Sequence, residues 1–465
     1  MSPEAADVNS QAAESVKPGL DHPGPLGLFQ GFGVEVEYMI TRSDSLELAP
    51  VADALLARAS QADADDSPSL APVSEVGRGE LAWSNELVLH VLEMKTNGPA
   101  SRLDGLSEAF HREVLQANAW LAPMGCRLLP GAVHPWMDPA TETRIWPHEY
   151  TEVYRTFDRI FGCQGHGWSN LQSTHLNLPF NGDREFVALH SAIRGILPLI
   201  PALSAASPIL DGRVSHSLDA RMRAYAQNAV RVSSVTGAVV PEEVGSRDEY
   251  ESKILSRIYR DMAPLDPDGV LRHEWVNARG AIARFEREAM EIRIIDAQEC
   301  PSADLAVVQM VVAALQPMVE SALEQPLAWQ RLDTASLASL LENTVAKGEK
   351  AVVVDAQLLS LLGMASLRRP SAGEVWHRLM EGVAPHASSG EKTASRVILD
   401  RGPWLEGSWK RWEIPGRARN CPGRHSGKSG TVLDAVWQTT RSSFRDTSGG
   451  RLPTAGAFPY LRAWG

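Results

Sequence analysis

The chain has 465 residues, enough for two or three domains or for one large α/β enzyme domain with additions, and 44% of it is hydrophobic, ordinary for a soluble globular protein. A formal net charge of -12 argues against general affinity for nucleic acid or anionic membrane and suits a protein that gathers divalent cations. Cys126, Cys163, Cys300 and Cys421 are far apart, with no C-x-x-C, which points away from a zinc knuckle or disulfide framework and toward a reducing, cytoplasmic location.

Residues 1–25 are rich in Pro, Gly and acids and read as a disordered leader; no apolar secretory region or long uninterrupted apolar run stands out. The first expected strand, at about 31–40, contains Gly33-Val34-Glu35-Val36-Glu37-Tyr38. Side chains at i and i+2 share a strand face, so Glu35 and Glu37 stand together opposite Val34, Val36 and Tyr38. Such a pair faces water or is neutralised by a cation, and this segment alone leaves both readings open. A helix is expected over Val51–Arg58, then an acidic exposed loop from Gln61 to Pro72.

Asn85–Thr96 reads as a second strand closed by Asn97-Gly98-Pro99 and carrying Glu93. Within it, His90 and Lys95 read first as packing or surface residues, while Glu86 is evenly balanced. Residues 101–122 have helical spacing, and Leu128–Val133 is a short apolar run before His134-Pro135-Trp136. A third strand, Gln172–Leu178, places His175 and Asn177 on one face. Helical runs follow at 184–206 and 248–262, then a fourth strand at Ala289–Asp296 with Glu291 and Arg293 on one side. Residues 303–405 are mainly helical.

The final segment, 406–465, has ten Lys or Arg against four acids, giving it +6 and leaving -18 for the rest. It reads as an irregular basic tail. Its Gly423-Arg424-His425-Ser426-Gly427-Lys428-Ser429 lacks both the spacing and the preceding strand of a phosphate loop.

If the four strands share an antiparallel sheet, Glu35, Glu37, Glu93, His175 and Glu291 surround a common space. Oxygen-rich ligands of this kind suit Mg²⁺ or Mn²⁺ bridging the phosphates of ATP, and Arg293 is placed to stabilise a transferring phosphoryl group. Carboxylate activation uses such equipment without a phosphate loop: a carboxylate attacks the γ-phosphate, and an amine displaces phosphate from the acyl phosphate.

These residues resemble the carboxylate-amine ligases related to glutamate-cysteine ligase of the second type, which share a glutamine synthetase-like fold. Gly33–Glu37 is similar to their G-[VI]-E-x-E opening, and Asn85–Thr96 to E-L-x5-E-x-x-T. His134-Pro135 resembles a G-x-H-P loop, Leu203–Pro208 an L-[SA]-A-x-S-P run, and Glu291–Asp296 an E-[VI]-R-x-x-D strand. The resemblance covers about residues 28–315. It implies an α+β fold in a catalytic domain over 26–405, with the polar face of an antiparallel sheet forming the active-site cleft and helices on the other face.

It further implies metal ligands at Glu35, Glu37, Glu93, His175 and Glu291, catalytic roles for Arg293 and Glu93, and nucleotide contacts at Arg293, His175 and Asn177. Asn177 departs from the family's usual H-x-H, and the tail departs from its closing helices. Arg221, Arg223 and His134 are substrate candidates, the arginines for an α-carboxylate. The expected activity is an ATP- and Mg²⁺- or Mn²⁺-dependent ligase forming an amide, with glutamate and cysteine the first candidate pair, as in glutathione biosynthesis. A non-catalytic nucleotide- or amino-acid-binding relative and a metal-dependent hydrolase are the alternatives. Expected partners are small molecules, an amino acid and an amine, rather than nucleic acid or membrane, with homo-oligomerisation left open.

Overall fold

The computed structural model describes residues 25–62, 73–381, Ser395, Ile398 and Leu399. The leader, most of the acidic loop and the basic tail with its glycine-rich motif lie outside the described residues. One antiparallel sheet of eight strands dominates the architecture. Its strands are β1 (Gly33–Arg42), β2 (Glu75–Arg78), β3 (Leu81–Asn85), β4 (Val91–Thr96), β5 (Cys126–Leu129), β6 (Ser173–Pro179), β9 (Ala281–Arg284) and β10 (Ala289–Asp296), while β7 (Ile209–Leu210) and β8 (Arg213–Val214) form a separate small hairpin. The sheet runs β2-β3-β4-β1-β6-β10-β9, with β5 continuing against the far end of β1.

The segment expected as one strand over Asn85–Thr96 is divided. β3 ends at Asn85, Val88 bridges Ile145, and β4 begins at Val91. The excursion is fixed by backbone bonds leaving the sheet, including Leu89 N to Arg144 O at 2.8 Å and Trp146 N to Leu87 O at 2.9 Å. Apolar sequence in this stretch therefore reflects packing of a bend against the following loop.

Period-2 alternation sorts the two sheet faces. Val34, Val36, Tyr38, Ile40, Trp83, Leu92, Met94, Leu176, Leu178, Met290 and Ile292 enter the core. That face is covered by helices α1 (Ala52–Ala62), α2 (Leu106–Leu121), α3 (Gly182–Ile196) and α4 (Pro301–Glu324). α4 is long and apolar enough to cross a membrane, but most of it is buried inside the protein, and its composition answers to that burial. The helical expectation after residue 303 continues as α5 (Thr334–Lys347), α6 (Ala356–Leu361) and α7 (Ala372–Met380).

Register brings the functional candidates together on the other face. Glu37 pairs with Glu93, Glu35 with both Lys95 and His175, and Glu291 with Asn177. Gly33 pairs with Asn177, and a Cβ at Gly33 would stand 2.8 Å from the Asn177 Cβ. The glycine that opens the acidic motif thus permits a close side-chain approach at the rim of this face.

Candidate active site

On the polar face each carboxylate is held by a neighbour from another strand. Glu35 Oε2 is 2.8 Å from His175 Nδ1, and its Oε1 accepts from Asn177 Nδ2 at 3.1 Å. Glu37 Oε2 accepts from the backbone and hydroxyl of Ser173 at 2.6 and 3.0 Å. Ser84 Oγ donates to Glu93 Oε1 at 2.8 Å. Glu291 is clasped by Arg284, 3.0 Å from its Oε2, and by Arg293, whose Nε donates to Oε1 at 3.0 Å.

Two groups have ligand atoms within 4.8 Å of one another: Glu35, His175 and Glu291; and Glu37, Glu93 and His175. His175 belongs to both. Glu37 Oε1 and Glu93 Oε2 make no hydrogen bond among the described residues, although Glu37 Oε1 lies 3.9 Å from His175 Nε2, so each carboxylate is hydrogen-bonded through one oxygen only. Carboxylate oxygens joined by imidazole nitrogen fit hard cations such as Mg²⁺ or Mn²⁺.

The electrostatics follow from packing like charges on one sheet face. Burial opposes charge on His175, but the bond to Glu35 and the fields of Glu37, Glu35 and Glu291 raise its pKa to about 9. Burial also penalises ionised Glu291, yet Arg293 and Arg284 hold its carboxyl well below the usual range. Burial raises Glu93, and the Glu35 charge adds to the shift. Glu86, in the bend after β3, is pushed well up by burial and then by Glu93, Glu37 and Glu35. Its Oε2 accepts from Leu87 N at 3.3 Å. A cation shared by this cluster relieves the mutual repulsion.

The substrate candidates separate. Arg221 is 1% exposed, and its Nε donates to Asp296 Oδ1 at 2.5 Å. Its Nη2 has no partner among the described residues. Burial disfavours its charge, but Asp296 and Asp219 hold its pKa above the normal value, and the Glu37 charge is also felt. Arg223 is exposed, and among the described residues its side chain reaches Ser217 Oγ, at 3.4 Å.

His134 is a buried structural residue: its Nε2 lies 2.8 Å from Leu46 O, and its backbone N donates to Asn170 at 2.6 Å. His90 likewise meets Ser169 O at 2.8 Å. Burial holds both rings neutral, with pKa pushed down to about 4. An unfolded histidine protonates near ~6.5, so this contribution is complete above that pH and is lost as pH falls toward about 4. The urea midpoint is expected to fall across that window, and less steeply in His134→Gln. A wild-type midpoint that stays level from pH 7 to pH 4 contradicts this assignment.

Arg284 and Ser173 join the site only through the fold. Arg284 sits at the end of short β9, whose Ala-Ile-Ala-Arg sequence gives a weak strand signal. The i, i+2 relation of Ser173 to His175 was available in sequence, but its bond to Glu37 depends on strand pairing.

Residues 31–393 match glutamate-cysteine ligase family 2. An uncharacterized protein of Archaeoglobus fulgidus is 36% identical over 248 residues, covering 53% of this chain and 66% of that protein. A provisionally named glutamate-cysteine ligase 2-1 of Rubrobacter xylanophilus is 29% identical over 188 residues, covering 39% and 42%. The matched stretches thus span less than two thirds of either relative. The crystal structure of glutamate-cysteine ligase from Francisella tularensis in complex with AMP superposes with a TM-score of 0.50 at 12% identity, covering 93% of this chain and 92% of that one. At that identity, what is shared is the fold.

Proposed function

The chain belongs to glutamate-cysteine ligase family 2, and on that premise we propose that it is an ATP-dependent carboxylate-amine ligase acting through an acyl phosphate, with glutamate and cysteine the first pair to test. The observation that carries this reading is the convergence of Glu35, His175 and Glu291 with Glu37 and Glu93 on one polar sheet face. Mg²⁺ or Mn²⁺ held there would supply neutralisation of the nucleotide's phosphate oxygens.

The protein groups divide the remaining work. Ser173, Ser84 and Asn177 fix the rotamers of Glu37, Glu93 and Glu35, an arrangement that pre-organises ligands before substrate arrives. Arg293 is anchored by Glu291 beside the cluster, in position to offset charge developing on the transferred phosphoryl group. Asn177 retains a site role by donating to Glu35, so the missing imidazole does not leave that carboxylate unsupported.

The direct assay combines protein, ATP, Mg²⁺, glutamate and a panel of amines, followed by mass analysis. A γ-glutamyl amide that forms only when nucleotide and cation are both present is expected. Absence of phosphate release with every pair, from folded protein, overturns the reading, and amide cleavage without nucleotide favours a hydrolase.

A further inference from the structure

Lys95 stands on the polar face of β4, two residues beyond Glu93. Its Nζ lies 2.8 Å from Glu75 Oε2 and 3.3 Å from Glu93 Oε1, bridging strands β2 and β4. Across the ladder it pairs with Glu35 on one side and Ala82 on the other. The Lys95 side chain is 23% exposed, whereas Glu75 is 57% exposed at the sheet edge. The ammonium is therefore inserted between an outer carboxylate and the cation cluster.

Glu93 Oε1 receives both this ammonium and the Ser84 hydroxyl, and Glu93 also supplies a carboxylate oxygen to the group formed with Glu37 and His175. At the opposite flank, Arg284 and Arg293 occupy Glu291. A side-chain cation thus closes each end of the polar row, with the two ligand groups between.

We infer that Lys95 is a tethered counter-cation: its ammonium takes the place on the Glu75 side of Glu93 that a further divalent ion would fill, and so limits how many cations the cleft holds. This rests on the proposed reading of the face as a cation and nucleotide site. An ammonium and a divalent ion compete for the same oxygens, and the lysine is always present at the high effective concentration that a covalent tether gives. Without it, Glu75 and Glu93 would present carboxylates to a shared space with no resident positive charge, a cation-binding arrangement. Lys95 also lowers the total charge that divalent ions must neutralise before the anionic nucleotide can bind.

The test is Mn²⁺ titration of the full chain without nucleotide, reading free Mn²⁺ by electron paramagnetic resonance. Lys95→Met is expected to bind one more Mn²⁺ per chain than wild type, while Lys95→Arg, which keeps the charge, retains the wild-type count. In EDTA, Lys95→Met is expected to melt below wild type, with Mn²⁺ recovering the difference. If Lys95→Met does not fold, Glu75→Gln serves instead: Lys95 then falls wholly on Glu93, and Mn²⁺ affinity drops about tenfold, the scale of a lost supporting contact. Unchanged Mn²⁺ count in Lys95→Met, or unchanged affinity in Glu75→Gln, overturns the inference. Wild type that binds no Mn²⁺ overturns the inference too, while the ligase reading itself is decided separately by whether phosphate and amide are released.

Discussion

Glu35→Gln is expected to lower kcat by about 10²–10³-fold while the protein remains folded, a loss in the range seen when a preorganised electrostatic contact in an active site is removed. The substitution keeps the shape and one acceptor oxygen, so the strand can still pair with β4 and β6. What it removes is the charge opposite His175 and the anionic ligand that Glu35 offers to the group formed with His175 and Glu291. Mn²⁺ affinity measured without nucleotide should fall with the rate. Glu35→Gln that turns over at the wild-type rate would remove Glu35 from the site and leave its bond to His175 as simple strand packing.

Arg221→Met is expected to destabilise the fold by about 3–5 kcal/mol near pH 8, the cost of breaking a buried ion pair by removing one partner. Asp296 accepts from Arg221, from Ala206 N and from the Ser207 hydroxyl, the latter two at 2.8 Å, joining the Leu203–Pro208 segment to the end of β10. Asp219 is buried beside Asp296, and burial together with that neighbour raises its pKa well above the usual value. Without the guanidinium this pair lacks its compensating charge, so one carboxyl retains a proton more strongly in the folded state. An acid with raised folded pKa loses stability as pH rises, so the deficit should shrink from about pH 8 to about pH 5. Urea unfolding at both pH values reads the effect. Full stability with only a raised KM for the carboxylate substrate would make Arg221 a binding residue with no structural duty.

The polar row was legible because two-residue alternation is a local property. Glu35 with Glu37, His175 with Asn177, and Glu291 with Arg293 share faces in any extended backbone, and the antiparallel sheet aligns those faces. Their mutual register was not legible: which carboxylate meets which imidazole depends on strand order and on the irregularity between Ile292 and Ile295. β3 gave little signal because all five residues are buried, which removes polar alternation. Lys95 resembled a surface lysine because its partner Glu75 arrives from another strand. Arg221 suggested substrate recognition by residue type, whereas the partner holding it, Asp296, lies on β10. His134 beside proline marked a loop, but its buried bond to Leu46 O required the folded chain.

Oxygen transfer from the carboxylate to phosphate distinguishes activation through an acyl phosphate from any other route to the amide. Protein, Mg²⁺, ATP, cysteine and glutamate carrying ¹⁸O in its γ-carboxylate are incubated, and the released phosphate and amide product are weighed. ¹⁸O is expected in the phosphate together with γ-glutamyl amide, because the attacking carboxylate oxygen leaves with phosphorus when the amine displaces it. Amide formation with no ¹⁸O in the phosphate would contradict the acyl-phosphate route.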